Sequence, residues 1–468
     1  MVHPNAFVRP VWHFVAGIAM LALPCCGALK DPDERGLHDA ASDVGDAVGR
    51  DVGGERGAAD SDADRPGLGD AERPQLGLVK QLATGGQHTC ALLTGGKVRC
   101  WGNGTFGQLG YGDTETVGDD ETPIQRGDVP LGEIVEQVVA GESHSCAVTS
   151  AGNILCWGNG DDGRLGYGNA DAIGDNETPA TAGYVDVGGV VVQAAAGYAH
   201  TCVLLDTQKV RCWGLGIFGQ LGYGNVDTIG DNEAPAIAGD VDIEEPVVQI
   251  VAGGLRTCAR LQSGAVRCWG AAPLGYGTEE SIGDDETPRL AGNIPLGGVA
   301  TDISAGDLHV CAVLTDGAVR CWGASPEGQL GYGNTNVIGE SDTPAIVGNV
   351  PLGGVAVQVS AGGDHTCVRL DDGNVKCWGS GRVGQLGYGN TSNIGDEKTP
   401  ADVGTVKVGG KVGSIRTGGS GFTCALLEER RARCWGNQVG GILGYGHPLS
   451  GPIGDNETPD TTEEVPIF

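Results

Sequence analysis

The sequence predicts an all-β protein, a seven-bladed β-propeller of four-stranded antiparallel blades. Three observations predict it. One unit recurs seven times at steps of 53 to 57 residues. Each copy reads as short strands broken by tight turns. Gly supplies 85 of the 468 residues, which argues against long helices, because an interior Gly costs roughly 1 kcal/mol against Ala.

The repeat is marked by cysteine and tryptophan. The first Cys of each copy is Cys90, Cys146, Cys202, Cys258, Cys311, Cys367 and Cys424. A Trp follows the second Cys directly, at Trp101, Trp157, Trp213, Trp269, Trp322, Trp378 and Trp435, and only Trp12 stands outside this system. A unit this small buries its apolar face only against neighbouring copies. Seven such sheets close into a propeller, whereas a solenoid would need polar capping repeats that the chain does not display.

Within a copy, a segment such as Val135 to Ala140 (VEQVVA) forms one strand and breaks at Gly141. HTCALL and KVRCWG then pair across a turn such as Thr94-Gly95-Gly96 or Asp372-Gly373. The stretch after each Thr-Pro, for example Pro179 to Val185, is expected to supply the fourth strand. The last copy stops soon after Thr458-Pro459, so Asp460 to Phe468 is expected to give the first blade its missing strand. Strands from the two ends of the chain would thereby close the ring.

The strings G-x-x-H-T-C-A-L, V-R-C-W-G and G-Q-L-G-Y-G, in that order, resemble the RCC1 repeat over about residues 78–468. The resemblance implies a seven-bladed propeller. This chain departs from it by its paired cysteines and by an acidic insertion after Gly-Tyr-Gly. Nucleotide exchange on a nuclear GTPase and chromatin binding, which the family includes, do not suit an exported chain. A net charge of −31 also argues against nucleic acid, which wants a basic stripe. A secreted bacterial inhibitor propeller that binds through one face is the nearer analogue, by fold only.

Beyond Cys25 and Cys26, the cysteines form seven pairs with nine residues between partners: Cys90/Cys100, Cys146/Cys156, Cys202/Cys212, Cys258/Cys268, Cys311/Cys321, Cys367/Cys377 and Cys424/Cys434. A turn midway sets each pair opposite itself across a hairpin, with Cα atoms expected about 4.5 to 5.5 Å apart, within disulfide range. That spacing is not the two-to-four spacing of zinc knuckles. Disulfides are therefore expected, and with them an oxidising compartment.

The beginning of the chain agrees. Residues 1–26 read as an export signal, with Arg9 ahead of an apolar run too short to span a membrane, ending in Leu23-Pro24-Cys25-Cys26. This resembles a bacterial lipobox with Cys26 as the acylated residue; ordinary signal cleavage without acylation is the alternative. Residues 27–77 hold thirteen acidic and six basic residues and no Cys or aromatic, a composition that reads as a disordered tether. The expected localisation is an outer-membrane lipoprotein, at the cell surface or in the periplasm, touching membrane only through the lipid. A monomer is expected.

His88, His144, His200, His309 and His365 share one repeat position, where Arg256 replaces them in the fourth copy. They read as packing residues, as does each Trp. The acidic turns after Gly-Tyr-Gly, such as Asp113 to Pro123 and Ile282-Gly283-Asp284-Asp285-Glu286, read as solvated turns; Ca²⁺ is the alternative. No resident cofactor or metal is expected.

Recognition should sit where copies differ. One variable loop precedes the His position and carries Gln87, Tyr198, Leu255, Asp364 and Phe422; the other follows Trp-Gly and carries Phe106, Asp161, Asp162, Phe218, Glu327 and Arg382. Phe106, Tyr198, Phe218, Arg382 and Phe422 are the candidate ligand-binding residues, because aromatics and Arg anchor interfaces. With no nucleophile elbow, metalloprotease helix motif or P-loop, the expected function is a protein- or glycan-binding scaffold and not an enzyme. The alternative is a secreted propeller hydrolase or lyase acting on carbohydrate.

Overall fold

The computed structural model describes residues 77–449 and 451–468. The export signal with Cys26, and the tether up to residue 76, lie outside the described residues. In the first module β1 (Val79–Thr84), β2 (His88–Leu93) and β3 (Val98–Gly102) pair antiparallel in chain order. Six further sheets repeat this arrangement. Among the described residues no helix is long and apolar enough to cross a membrane.

The middle strand, HTCALL in the first module, is buried along its whole length, so both of its faces carry apolar or hydrogen-bonded side chains. The tight turn after it needs glycine. Gly96 has φ +73°, and a Cβ there would lie 2.6 Å from Ile134 Cγ2.

The hairpin register sets the cysteines opposite each other as the spacing predicts. All seven pairs are disulfides: Cys90–Cys100, Cys146–Cys156, Cys202–Cys212, Cys258–Cys268, Cys311–Cys321, Cys367–Cys377 and Cys424–Cys434. Their Cα atoms lie 4.1 Å apart, closer than the expected range. The reason lies in the ladder. The N–H and C=O of Cys100 turn away from β2 to the Tyr111 hydroxyl, so the cysteines form a non-hydrogen-bonded pair, the kind that approaches most closely. Cys156, Cys212, Cys268, Cys321, Cys377 and Cys434 turn the same way, each N–H donating to the tyrosine hydroxyl of its own module. All fourteen cysteines are fully buried. They staple each hairpin to itself and offer no sulfur to a ligand at the surface.

The blades are three-stranded, not four-stranded. After Thr-Pro the first module forms a one-turn helix, α1 (Pro123–Arg126). Thr122 Oγ1 accepts from Gln125 N while Gln125 Oε1 accepts from Thr122 N, and Pro123 occupies the first helical position. This chemistry starts a helix and leaves no strand to pair. Pro179–Ala182, Pro235–Ala238, Pro288–Ala291 and Pro344–Val347 repeat the helix. Among the described residues only isolated contacts decorate the outer edge of β3: the Tyr111 hydroxyl on Cys100, a bridge between Gly102 and Val117, and Val129 N to Val98 O at 2.8 Å.

Neighbouring modules are joined by side chains. Trp157, Trp213, Trp378 and Trp435 are fully buried, and each donates its indole N–H to a carbonyl of the preceding module (Gln108, Arg164, Gln329 and Gln385) at 2.9 to 3.0 Å. Gly110 sits against the next module's Trp157, where a Cβ would come within 2.8 Å of Nε1. On the first strand of each module, Gln81, Gln137, Gln193 and Gln358 bracket the next module's backbone, each amide donating to and accepting from one residue (Val138, Ala194, Ile250 and Ile415).

The ends meet, though not through a strand. Val465 N donates to Ala432 O of the last module, while Pro466 O accepts from Ile124 N and Ile467 O from Arg99 Nη1 of the first. An internal joint has the same pattern, with Val185 N on Ile154 O, Asp186 O taking Ala236 N and Val187 O taking Arg211 Nη1. The C-terminal segment is therefore the seventh inter-module joint, an irregular stretch in place of the expected strand. Gly419 N to Gly85 O and Ser420 N to Gly86 O, both 3.0 Å, complete the closure.

Candidate ligand-binding face

The seven first strands line a central cavity of about 590 Å³. Because β2 begins where β1 ends, and β3 ends beside it, the β1–β2 loop and the loop after β3 lie on one face. Asn103 links them by donating Nδ2 to Gln87 Oε1 at 3.0 Å and its backbone N–H to Gln87 O. Both variable loops of all seven modules therefore share this face.

On it, Phe106 and Phe218 are exposed to 46% and 39%. Their loops are fixed from below: Gln108 and Gln220 are buried and accept the backbone N–H of Phe106 and Phe218 at 2.8 and 2.9 Å. Rigid loops carrying exposed aromatics lose little entropy on binding. Tyr198, 51% exposed, stands at the rim of a smaller cavity of about 100 Å³ at the channel mouth. Arg382 reaches back to Glu327 of the preceding module at 2.7 Å, and Asn393 also donates to Glu327.

Phe422 is not part of this face. It opens a strand, Phe422–Leu427, and is fully buried. Phe422 stands two residues before Cys424, as His88 stands two before Cys90, so it falls in the histidine position and not in the loop. Tyr198 gains neighbours in its place. Glu142 and Asp307 occupy the same repeat position as Tyr198 and line the same mouth. Glycine at the matching position of other modules leaves them room: a Cβ on Gly86 would lie 2.2 Å from Glu142 Oε2, and one on Gly363 would lie 3.3 Å from Asp307 Oδ2.

These carboxylates are held off their ordinary titration. Asp307 opens to the mouth yet is ringed by protein; burial, then Glu142 and Asp364, push it up to about 7 against the pull of Arg256. Burial also raises Glu142, opposed by Arg164, and raises Asp364, assisted by Glu327 and opposed by Arg382. Burial lowers Arg256 to about 10, with Asp307 opposing. The mouth is an acidic ring with an aromatic beside it. Sequence reasoning missed Glu142 and Asp307, although both share a repeat column with Tyr198 in which most copies hold Gly.

Beneath the mouth runs a ring of inter-module bonds. His88, His144, His200, His309 and His365 are fully buried, and each Nε2 meets a hydroxyl of the next module (Ser145, Thr201, Thr257, Thr366 and Thr423) at 2.6 to 2.9 Å. The histidines are structural. The ring is interrupted twice. Arg256 faces a module whose hydroxyl position is Val310, and its Nε and Nη1 have no partner among the described residues. Phe422 leaves Thr89 Oγ1 likewise buried and unpaired.

Of the acidic turns, one brings Asp284, Asp285 and Glu286 within 4.8 Å of each other. Burial, then the hydrogen bond and charge of Asp285 and the charge of Asp284, raise Glu286 to about 7.

Seven sheets around a channel, joined ring-wise by Trp, Gln and His, define a propeller with RCC1-type modules. Models of the Regulator of chromosome condensation (RCC1) repeat match residues 79–108, 135–164, 191–220, 300–329 and 356–385, and, in a second form, 95–148, 151–204 and 316–369. The chain belongs to the RCC1 repeat family. It is 29% identical over 364 residues to the Ultraviolet-B receptor UVR8 of Arabidopsis thaliana, covering 76% of this chain and 77% of that one. It is 33% identical over 331 residues to the E3 ubiquitin-protein ligase HERC2 of Homo sapiens, covering 68% of this chain but only 6% of the ligase. Among solved structures, yeast RCC1 (Prp20) bound to Kap60 superposes with a TM-score of 0.60 at 17% identity, over 86% of this chain and 91% of that one. Human WBSCR16 gives 0.58 at 19% identity, over 74% and 86%. At these identities the structures speak for the fold alone.

Proposed function

We propose that this chain is an exported, lipid-anchored scaffold that binds a protein, or a glycan, through the face around the channel mouth. One observation carries the reading: exposed Phe106, Tyr198 and Phe218 stand on loops of one face on which the modules differ, over a repeated three-stranded frame. Aromatics on preordered loops are the usual anchors of an interface. Solved relatives of this fold include a Prp20 complex with Kap60 and a Prp20p whose binding to Gsp1p and histones has been described; those partners belong to those proteins. Seven intramodule disulfides and the leader pattern support an oxidising location outside the cytoplasm.

The test is capture from envelope and medium extracts with the wild type and with F106A/Y198A/F218A. The reading expects a partner lost in the triple variant and kept when Ile134 and Val190, on the opposite face, are replaced by Ala. Partners unchanged in the triple variant would move the site elsewhere. The carbohydrate-hydrolase reading retains one supporting observation, an Asp307 raised to about 7 beside Glu142 in the mouth. Turnover of a glycan panel that disappears in D307N would promote it.

A further inference from the structure

A second site repeats on the outer edge of the blades. In the first module Arg126, at the end of α1, lies over the ring of Tyr111, 4.9 Å from its centroid. Its guanidinium pairs with Asp113, with Glu115 at 3.2 Å and with Glu121 at 3.5 Å. The Tyr111 hydroxyl holds both the N–H and the C=O of Cys100, which fixes the ring on the free edge of β3. An aromatic floor with two or more carboxylate walls is a receptor for a planar cation. Here the chain fills it itself.

The next three modules keep the floor and two of the three acids but lose the occupant, with Asn169, Asn225 and Thr278 standing where Asp113 does. Tyr167, Tyr223 and Tyr276 repeat the floor, with the same hydroxyl bond to their own third strands. Asp171 and Glu177, Asp227 and Glu233, and Glu280 and Glu286 stand where Glu115 and Glu121 do, but Ala182, Ala238 and Ala291 stand where Arg126 does. In the second module the space remains as a cavity of about 340 Å³ lined by Tyr167, Asn169, Asp171, Glu177 and Ala182 among others. In the third and fourth, Glu233 Oε2 and Glu286 Oε2 are buried with no hydrogen-bond partner among the described residues. A buried carboxyl oxygen left so is costly until a donor meets it. The fifth and sixth modules lack this character, with Asn336 and Ser392 at the Glu115 position and Lys398 at the Glu121 position of the sixth.

We propose that the outer-edge pockets of the second, third and fourth modules bind arginine side chains of a partner polypeptide, each guanidinium taking the place that Arg126 fills in the first module. Ile237 and Leu290, exposed to 75% and 74%, flank two of these pockets on the same short helices, so the segment carries apolar residues between its arginines. This site is separate from the channel-mouth face and stands or falls without it.

The probe is a labelled peptide of repeated Arg-Gly-Ile-Gly units, titrated at physiological salt against the folded chain, with the Lys counterpart as control. The Arg peptide should bind about tenfold more tightly than the Lys peptide, because the fork-shaped donor and the ring contact both favour Arg. A182R/A238R/A291R supplies each pocket with an internal guanidinium and should abolish that preference without lowering the melting temperature. R126A should add one peptide site. If the filled variant fails to fold, E177Q/E233Q/E286Q must show the same loss of preference. Equal binding of both peptides, or a preference that survives the filled or neutralised variants, overturns the proposal.

Discussion

Deleting Glu463 to Phe468 should unlock the ring. The segment buries Val465 and Ile467, both nearly inaccessible, and burying such a side chain is worth about 1.5 to 3 kcal/mol. It also supplies three hydrogen bonds across or beside the joint: Val465 N to Ala432 O, Ile124 N to Pro466 O and Arg99 Nη1 to Ile467 O. At about 1 kcal/mol each the loss is on the order of 7 kcal/mol, an upper figure because a real unfolded chain already buries part of this surface. The assay is denaturant unfolding under non-reducing conditions, followed by tryptophan fluorescence, since every module carries one buried Trp. The midpoint should fall well below that of the intact chain, and V465A/I467A in the full-length chain should reproduce part of the drop. A midpoint within error of wild type would refute the assignment of the C-terminal segment as the seventh joint.

Acid should weaken the fold through the histidine ring. His88 and His200 are lowered to about 4, and His309 and His365 to about 3, in each case first by burial. Their contribution is complete above the ordinary pKa of about 6.5 and is lost as pH falls toward the folded values, by at most about 3 kcal/mol for His88. Asp307 and Glu286, both raised to about 7, and Glu142 and Asp364, also raised, act in the opposite sense as pH falls and reduce, without offsetting, the loss from five imidazoles. Thermal melting at pH 7 and pH 5 checks this; a higher melting temperature at pH 5 contradicts it. R256H/V310T should complete the ring at the fourth joint and stabilise by about 1 kcal/mol, since it replaces a buried guanidinium whose Nε and Nη1 lack partners with a bonded imidazole; a lower melting temperature would count against the ring. Removing one staple with C202S/C212S should cost at most about 3 kcal/mol, the chain-entropy value for so short a loop, and thiol counting on the unreduced, denatured propeller should find none of its fourteen cysteines free.

Much of the fold was legible because its signals are local. The cysteine register followed from a fixed spacing about a glycine turn, and the blade period followed from the Trp that closes each third strand. The fourth strand was misjudged where local chemistry was overlooked: Thr122-Pro123 with Gln125 is a helix start, and Pro at the first helical position recurs in Pro179, Pro235, Pro288 and Pro344. Of the candidate binding residues, Phe106, Tyr198, Phe218 and Arg382 fall on one face because both loops sit at the same ends of their strands. Phe422 was assigned to the loop although it stands two residues before its Cys, the same spacing as His88 to Cys90. The acidic mouth was the least legible, because Glu142 and Asp307 lie in different modules, 165 residues apart, and only ring closure brings them to one cavity. Pairing across joints is equally invisible along the chain: Arg256 opposite Val310, or Trp157 with Gln108, makes sense only once modules are set side by side.

The propeller stands on closure, and distances between modules test it most directly. Spin labels carried by non-cysteine chemistry at Thr105, Asp161, Pro326 and Val439 report the same loop in the first, second, fifth and seventh modules. In a closed ring the Thr105–Val439 distance matches Thr105–Asp161, and both are shorter than Thr105–Pro326. A separation that grows steadily from the second module to the fifth to the seventh would mean a stacked array and would contradict the propeller.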